Sequence, residues 1–227
     1  MATATETLTV AICLFPDVQL LDFSGPVDLL GFLSPKNAAM LSAYYKTAPP
    51  TKLLDLKYLA ADREVVQPTS GPGLTPDATY GEALESGKQY DVILVPGGGG
   101  VVDPPESLIK FIATQFHGAK YFMSVCTGSW AVAKAGVLEG RRATTNKATY
   151  RIVVVSCTSA LPLVPKARWV VDGNYWSASG VAAGLDMTTA WLEHYVGKEA
   201  TFTISSLIEY TGRKQDDDEW APVHGLV

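Results

Sequence analysis

Residues 121–140, YFMSVCTGSWAVAKAGVLEG, decide how the rest of the chain is interpreted. Residues 121–125 are apolar or small enough to form a strand that is buried on both faces. After Gly128, alanine and valine recur at the spacing of a helix that packs on a sheet. The stretch therefore predicts a strand, a tight turn and a helix, with Cys126 at the turn.

Cys126 is the centre of a small-x-nucleophile-x-small pattern, Ser124-x-Cys126-x-Gly128. This pattern is typical of a nucleophile elbow, in which small neighbours let the turn close and the turn projects the nucleophile outward. The backbone N–H groups that begin the next helix are expected to favour thiolate over thiol. The pattern indicates a reactive cysteine, and the alternative is a structural thiol at the end of a core strand.

The whole chain has the composition of one sizeable domain. With 227 residues, of which 47% are hydrophobic and 18% charged, it can bury a large core. We expect a single domain over residues 1–227, with residues 213–227 as a C-terminal tail. The acidic run 216–219 in this tail is expected to be solvated.

Charge and cysteine content exclude several classes of partner. A net charge of −5 opposes binding to a nucleic-acid backbone. No apolar run approaches the ~20 residues that cross a bilayer, so no membrane partner is expected. The three cysteines, Cys13, Cys126 and Cys157, lack the spacing of a zinc site or a disulfide framework. We therefore expect free thiols, no metal and no cofactor in a cytoplasmic protein.

Strand and helix patterns alternate along the chain, which indicates an α/β fold with a mostly parallel sheet covered by helices on both faces. Strands are predicted at 8–15, 42–48, 90–95, 121–125 and 143–145, a hairpin or strand pair within 52–67, and a hairpin of 168–172 with 175–179. Helices are predicted at 27–33, 80–85, 104–117, after residue 128, and at 150–160, 181–196 and 199–210, the last being the final helix.

Two further loops follow predicted strands. Asp22 or Ser24 lies where the helix after the first strand begins, at the sheet edge where open parallel sheets bind ligands; a plain helix N-cap is the alternative for Asp22. Residues 97–100 are four glycines after the strand 90–95, and glycine exposes backbone N–H groups to a ligand. They lack the P-loop and dinucleotide patterns. Beside the elbow they predict an oxyanion hole, with a flexible turn as the alternative.

Six stretches that keep their order and spacing resemble the DJ-1/PfpI superfamily, in particular its isonitrile (isocyanide) hydratase-like branch. They are LFPDVQLLDFSGP (14–26), VPGGGG (95–100), SVCTGS (124–129), RRATT (141–145), VVDGN (170–174) and SGVAAGLD (179–186), and the likeness covers residues 10–210. The resemblance implies a flavodoxin-like three-layer α/β sandwich, a homodimer, and a small-molecule substrate.

The resemblance also implies roles for individual residues. Cys126 would be the nucleophile and Asp22 the carboxyl group paired with it, and Thr127 follows the nucleophile. The backbone N–H groups of Gly98 and Thr127, with Gly99 in the same loop, would form the anion-stabilising site. The family usually has Thr-Thr-His after the elbow helix, whereas this chain has Asn146 in the last of these positions.

The histidines, His117, His194 and His224, lie in predicted helices or in the tail. A Cys–His dyad is therefore not expected, which argues against protease and amidase activity. Four aromatic residues are candidates for lining a pocket, with core packing as the alternative: Trp130, Tyr150, Trp176 and Trp220.

The expected activity is the addition of water to an isonitrile, R–N≡C, to give an N-formamide. Cys126 would attack the terminal carbon while protonated Asp22 delivers a proton, and an apolar pocket would have to raise the pKa of Asp22. Two alternatives stay open: a glyoxalase or deglycase acting on methylglyoxal, and a thiol redox sensor or stress protein without turnover. Since the sequence ends soon after residue 210, we do not expect the helix-turn-helix module of a transcriptional regulator.

Overall fold

The computed structural model describes residues 5–46, 49–156 and 162–227. In these ranges seven strands form one sheet: β1 (Glu6–Cys13), β2 (Lys52–Ala60), β3 (Ala78–Thr79), β4 (Val92–Val95), β5 (Tyr121–Val125), β6 (Trp169–Asp172) and β7 (Tyr175–Ala178). Their order is β3-β2-β1-β4-β5-β7-β6. All neighbours are parallel except β6 and β7, which form the predicted hairpin.

Helices surround the sheet: α1 (Leu20–Gly31), α2 (Pro35–Met40), α3 (Tyr80–Glu85), α4 (Glu106–Gln115), α5 (Gly128–Lys134), α6 (Tyr150–Ser156), α7 (Ala183–Val196), α8 (Lys198–Leu207) and α9 (Trp220–Val223). One group consists of α1, α7 and α8, and another of α3, α4 and α5. The expected flavodoxin-like α/β sandwich is confirmed. Among the described residues, no helix is both long and apolar enough to cross a bilayer.

The central strands are continuous apolar runs because helices cover both of their faces. In β4 the four residues Val-Ile-Leu-Val are all fully buried, and β1 is buried from Val10 to its end. Burying one such side chain contributes about 2 kcal/mol relative to leaving it in water. These strands therefore form a rigid base for the loops that leave their carboxyl ends.

The sheet has a topological switch point beside β1. The chain passes from β1 to β2 on one side, and β4 lies against β1 on the other side. In an open parallel sheet, the loops that diverge at such a point leave a crevice at the carboxyl ends of the strands. The loops after β1 and β4 flank this crevice, and the loop after β5 is next to them.

The strand predicted at 42–48 is wrong. Residues Ser42–Tyr44 form a 3-10 turn, and residues 47–48 lie outside the described residues. The second strand of the structure is β2, which begins shortly after Pro49-Pro50. Proline has no N–H to donate to a neighbouring strand, so the two prolines lie before β2 and not within it. The hairpin predicted within 52–67 is also wrong, because β2 is one long strand parallel to β1.

Two other boundaries differ from those predicted. Residues 143–145 do not form a strand, since Ala143 makes only an isolated bridge with Leu163. Helix α1 begins at Leu20, seven residues before the predicted start at 27, and Pro26 lies inside it. The prediction placed Asp22 or Ser24 where this helix begins, whereas both lie inside α1. The predicted helix at 150–160 is described only as far as Ser156, and Cys157 lies outside the described residues.

The tail is not a simply solvated segment. Asp218, from the acidic run, is only 3% exposed and forms a buried ion pair with Lys147, whose Nζ is 3.1 Å from Asp218 Oδ2. The backbone N–H of Ala167 also donates to this carboxylate, at 3.0 Å. The predicted final helix at 199–210 is followed by α9, which begins two residues after Asp218. Solvation was the wrong prediction for Asp218 because its ion partner lies far away in the sequence.

We expect Asp218→Ala to lower the free energy of unfolding by about 3 kcal/mol, because it leaves the Lys147 ammonium buried without its counter-ion. Glu219→Ala is the matched control, since Glu219 pairs with Arg213 at the surface and exposed pairs contribute little. Urea unfolding of the two variants measures the difference. Equal losses in both would show that the buried pair does not hold the tail in place.

Candidate active site

The elbow at Cys126 has the geometry that the sequence predicted. Cys126 lies between β5 and α5 with φ of 58°, in the left-handed region that costs a non-glycine residue energy. Its backbone N–H donates to Ala178 O at 3.1 Å, which extends the pairing of β5 with β7. A Cβ on Gly128 would lie 2.2 Å from Val95 O, so only glycine fits there. The strand–turn–helix prediction is confirmed.

Gly97 joins the three loops. Its backbone N–H donates to Asp22 Oδ2 at 2.8 Å, and its carbonyl accepts from Gln19 N at 2.8 Å. A Cβ at this position would lie 2.5 Å from Thr127 Oγ1 and 2.8 Å from Asp22 Oδ2. The loops after β1, β4 and β5 therefore meet so closely that glycine is needed where they touch.

Asp22 is fully buried in the first turn of α1. Burial raises the pKa of its carboxyl group to about 7, and the hydrogen bond from the Gly97 N–H and an interaction with the Cys126 thiol act in the opposite direction. Its second oxygen, Oδ1, has no hydrogen-bond partner among the described residues. The helix N-cap is Gln19, and no side chain caps it, so the interpretation of Asp22 as a plain N-cap is wrong.

Cys126 is 7% exposed and its thiol is free. Burial, followed by the negative charge of Asp22, raises the pKa of this thiol to about 12, although interactions with Thr127 and Asn146 lower it. The backbone N–H of Thr127, at the start of α5, lowers this pKa, which is the predicted direction. Its effect is smaller than the cost of a buried charge beside a carboxylate, so the thiol stays protonated at neutral pH. Of the two groups, Asp22 is the one that titrates near neutral pH.

The predicted anion-stabilising groups lie beside the elbow. The Gly98 N–H donates to Thr127 Oγ1 at 3.0 Å, and the Thr127 N–H interacts with the sulfur of Cys126. Gly98 has φ of 137°, and a Cβ on it would lie 2.2 Å from Asp17 O. Gly99 begins a 3-10 turn, Gly99–Val101. The loop is thus held by the elbow and by the loop after β1, unlike a flexible turn.

Asn146 is a site residue whose contact with the nucleophile was not predicted. It interacts with the Cys126 sulfur and lowers the pKa of the thiol. Its Oδ1 accepts from Thr149 N at 3.2 Å, which leaves the amide NH₂ to face the sulfur. The preceding residue, Thr145, donates from its hydroxyl to Cys126 O at 3.2 Å. The only sequence signal for Asn146 was its position directly after Thr-Thr.

None of the described histidines acts on the thiol. His194 Nε2 is 3.2 Å from the Tyr121 hydroxyl, and His117 packs edge-on against Phe116. His224 lies in the tail, as expected. A Cys–His dyad is therefore absent from the described residues, and the carboxyl group of Asp22 is the titratable partner of the thiol.

A cysteine on a strained turn, with a buried carboxyl group supplied from the other side of a switch point, defines a class of flavodoxin-like α/β proteins with a nucleophile elbow. A family model described as the DJ-1/PfpI family matches residues 8–194 of the chain. The chain therefore belongs to the DJ-1/PfpI family.

Known relatives differ in what they do. An isonitrile hydratase from Pseudomonas putida is 33% identical over 89% of this chain and 78% of its own length. The HTH-type transcriptional regulator GbdR of Pseudomonas aeruginosa is 26% identical over 74% of this chain and 45% of its own length. A crystal structure of a ThiJ/PfpI family protein from Pseudomonas syringae has a TM-score of 0.73 at 23% identity, covering 92% of this chain and 78% of its own. That last likeness supports the fold.

We expect Asp22→Asn to stabilise the fold more at pH 8 than at pH 4. The carboxyl group has a pKa near 3.9 when unfolded and about 7 when folded, so its contribution to stability is complete below pH 4 and is lost as the pH rises through 7. The loss amounts to about 4 kcal/mol at pH 8. Urea unfolding at both pH values measures it, with Asp28→Asn, an exposed residue of the same helix, as control. A pH-independent effect of Asp22→Asn would contradict the raised pKa.

Proposed function

We propose that this protein hydrates isonitriles to N-substituted formamides, with Cys126 as nucleophile and Asp22 as acid and base. The observation that carries the proposal is the buried carboxyl group with a pKa of about 7 beside the buried thiol. A general acid and base works best when its pKa lies near the operating pH. The 33% identity with an isonitrile hydratase supports the choice of substrate.

In the first half of the proposed reaction, one proton moves from sulfur to carbon. The Asp22 carboxylate takes the proton of the Cys126 thiol, and the sulfur bonds to the terminal carbon of R–N≡C. Asp22 then gives that proton to the same carbon, which leaves a thioimidate, R–N=CH–S, on the cysteine. The pair starts and ends this half with Asp22 ionised, so the enzyme gains and loses no net proton.

In the second half, water replaces the sulfur. Water attacks the thioimidate carbon while the Asp22 carboxylate removes one of its protons. One water proton ends on the nitrogen and the other on the departing sulfur, and the C–S bond breaks to release R–NH–CHO. The free thiol and the ionised carboxylate are then restored, as turnover requires.

The elbow loop has a proposed part in the second half. In the first half the negative charge lies on the carbon, which Asp22 protonates. When water adds to the thioimidate carbon, negative charge develops on the nitrogen, and hydrogen-bond donors aimed at it would lower the barrier. We assign this role to the Thr127 hydroxyl and the backbone N–H groups of Thr127 and Gly99. The Gly98 N–H already donates to Thr127 Oγ1, so Gly98 contributes by polarising that hydroxyl as a donor.

A glyoxalase acting on methylglyoxal is the second candidate. The pKa of about 7 at Asp22 suits the base that must remove a carbon-bound proton, whereas the described residues offer no histidine for this step. A thiol redox sensor is less favoured, because oxidation requires thiolate and the pKa of Cys126 is raised to about 12. Lactate formation from methylglyoxal at a rate far above isonitrile hydration would select the glyoxalase.

We expect Asp22→Asn to lower kcat for formamide production by at least ~100-fold, because proton transfer to carbon is lost. Cys126→Ala should abolish turnover, and Asp28→Asn should match the wild type. In the wild type, kcat/KM should fall as the pH drops below about 7. There the Asp22 carboxylate becomes protonated and can no longer accept the proton of the Cys126 thiol. Formamide is measured by chromatography over a panel of alkyl and aryl isonitriles. Retained turnover in Asp22→Asn would remove the assignment of Asp22.

We also propose that the protein is a cytoplasmic homodimer. The support is the family resemblance together with apolar side chains exposed on α6, where Ile152 is 51% and Val155 81% exposed. The two cysteines described are free thiols, in keeping with a reducing compartment.

Light scattering coupled to gel filtration should give about twice the 24.3 kDa of one chain. We expect Val155→Asp to shift the mass toward the monomer, because a charge would then lie in the apolar contact. Lys36→Asp, on the exposed surface of α2, is the control. A wild-type mass of one chain would contradict the dimer.

A further inference from the structure

The segment after the elbow helix connects the nucleophile to the C-terminal tail. Thr145 donates from its hydroxyl to the carbonyl of Cys126, and Asn146 interacts with the sulfur of the same residue. The next residue, Lys147, forms the buried ion pair with Asp218 of the tail. Three consecutive residues thus hold the backbone of the nucleophile, its thiol and the tail.

A cavity of about 200 Å³ opens beside Asn146. The loop after β7 forms one side of it through Ser179, Gly180 and Val181, and the tail forms the opposite side through Trp220 and His224. Asn146 lines this cavity and also interacts with the sulfur of Cys126, so it lies between the nucleophile and the cavity. For scale, a cavity of about 150 Å³ holds one benzene molecule.

Hydrogen bonds hold the tail side of this cavity in place. Asp218 Oδ1 accepts from Trp220 N at 3.0 Å and from Ala221 N at 3.3 Å, so the buried carboxylate fixes the start of α9. At the other end of α9, Arg151 donates to Gly225 O at 2.8 Å. These contacts set the position of Trp220, which is 52% exposed at the cavity.

The charges around the cavity are already paired. Lys147 and Arg168 both line it, and their partners are the buried carboxylates of Asp218 and Asp186. Neither cation therefore needs an anionic ligand, and a ligand with its own charge would have to compete with these pairs. The remaining lining offers the Trp220 indole, the His224 imidazole, the Asn146 amide, small apolar side chains and a hydroxyl, which suit a neutral organic group.

We propose that this cavity is the subsite for the organic group of the isonitrile, and that Trp220 sets the upper limit on its size. The inference rests on the proposed function, since the carbon of R–N≡C must reach Cys126 while the group R points away from it. The cavity admits a group about as large as one six-membered ring and rejects a fused two-ring group. The tail is in this way a specificity element of the active site.

The first test compares benzyl isonitrile with 2-naphthylmethyl isonitrile. The wild type should prefer the one-ring substrate by at least ~10-fold in kcat/KM, and Trp220→Ala should reduce this preference about tenfold because it enlarges the cavity. Phe202→Ala is the matched control, since Phe202 is an exposed aromatic residue that does not line this cavity. An unchanged preference in Trp220→Ala would overturn the subsite.

The second test needs no hydratase activity. Methyl and 2-naphthylmethyl methanethiosulfonates modify thiols, and peptide mapping by mass spectrometry measures the rate at Cys126 alone. Trp220→Ala should raise the rate of the naphthyl reagent relative to the methyl reagent about tenfold, and Val181→Phe, which fills the cavity from the other side, should lower it. Equal ratios in all three proteins would overturn the subsite.

The two tests separate the two proposals. If the wild type makes no formamide from any isonitrile, the proposed function fails, while the rates of thiol modification still decide whether the cavity receives the group carried by the sulfur. If formamide is made but neither ratio changes in Trp220→Ala, the function stands and the subsite is wrong.

Discussion

The hydrogen bond from the Gly97 N–H to Asp22 Oδ2 is the contact on which the site depends. It bridges the loops after β1 and β4 and holds a carboxyl group, fully removed from water, beside the thiol of Cys126. The parallel sheet makes this possible because its switch point brings the carboxyl ends of β1 and β4 side by side. A bulkier residue at position 97 would separate the carboxyl group from the elbow.

Burial has two chemical effects at this site. It raises the pKa of Asp22 to about 7 and that of Cys126 to about 12, because burial removes the water that would stabilise the ionised form of each group. Between these values the pair holds a single proton, which is what an acid and base must move between sulfur and carbon. The same burial disfavours folding at neutral pH, and the left-handed backbone of Cys126 adds strain. Such costs are common where stability is reduced for activity.

The C-terminal tail is bonded to the same site. The ion pair between Lys147 and Asp218 is buried on both sides, and Lys147 directly follows the asparagine that touches the thiol. Since removing one member of a buried pair leaves an unpaired charge, the tail is tied firmly to the segment beside the nucleophile. A wall made from the tail lies outside the sheet and its crossover helices, so the size of the cavity can differ between proteins that share the fold.

By itself the sequence determined the features that short-range patterns encode: the apolar runs of β4 and β5, the elbow around Cys126, and the hairpin of β6 and β7. These features follow from side-chain size, turn chemistry and apolar periodicity within about ten residues, so reading along the chain was enough. The tertiary structure alone decided the raised pKa of Cys126, the contact of Asn146 with its sulfur, and the burial of Asp218. Each depends on groups that are distant in sequence and on the loss of water around them, and a local pattern contains neither.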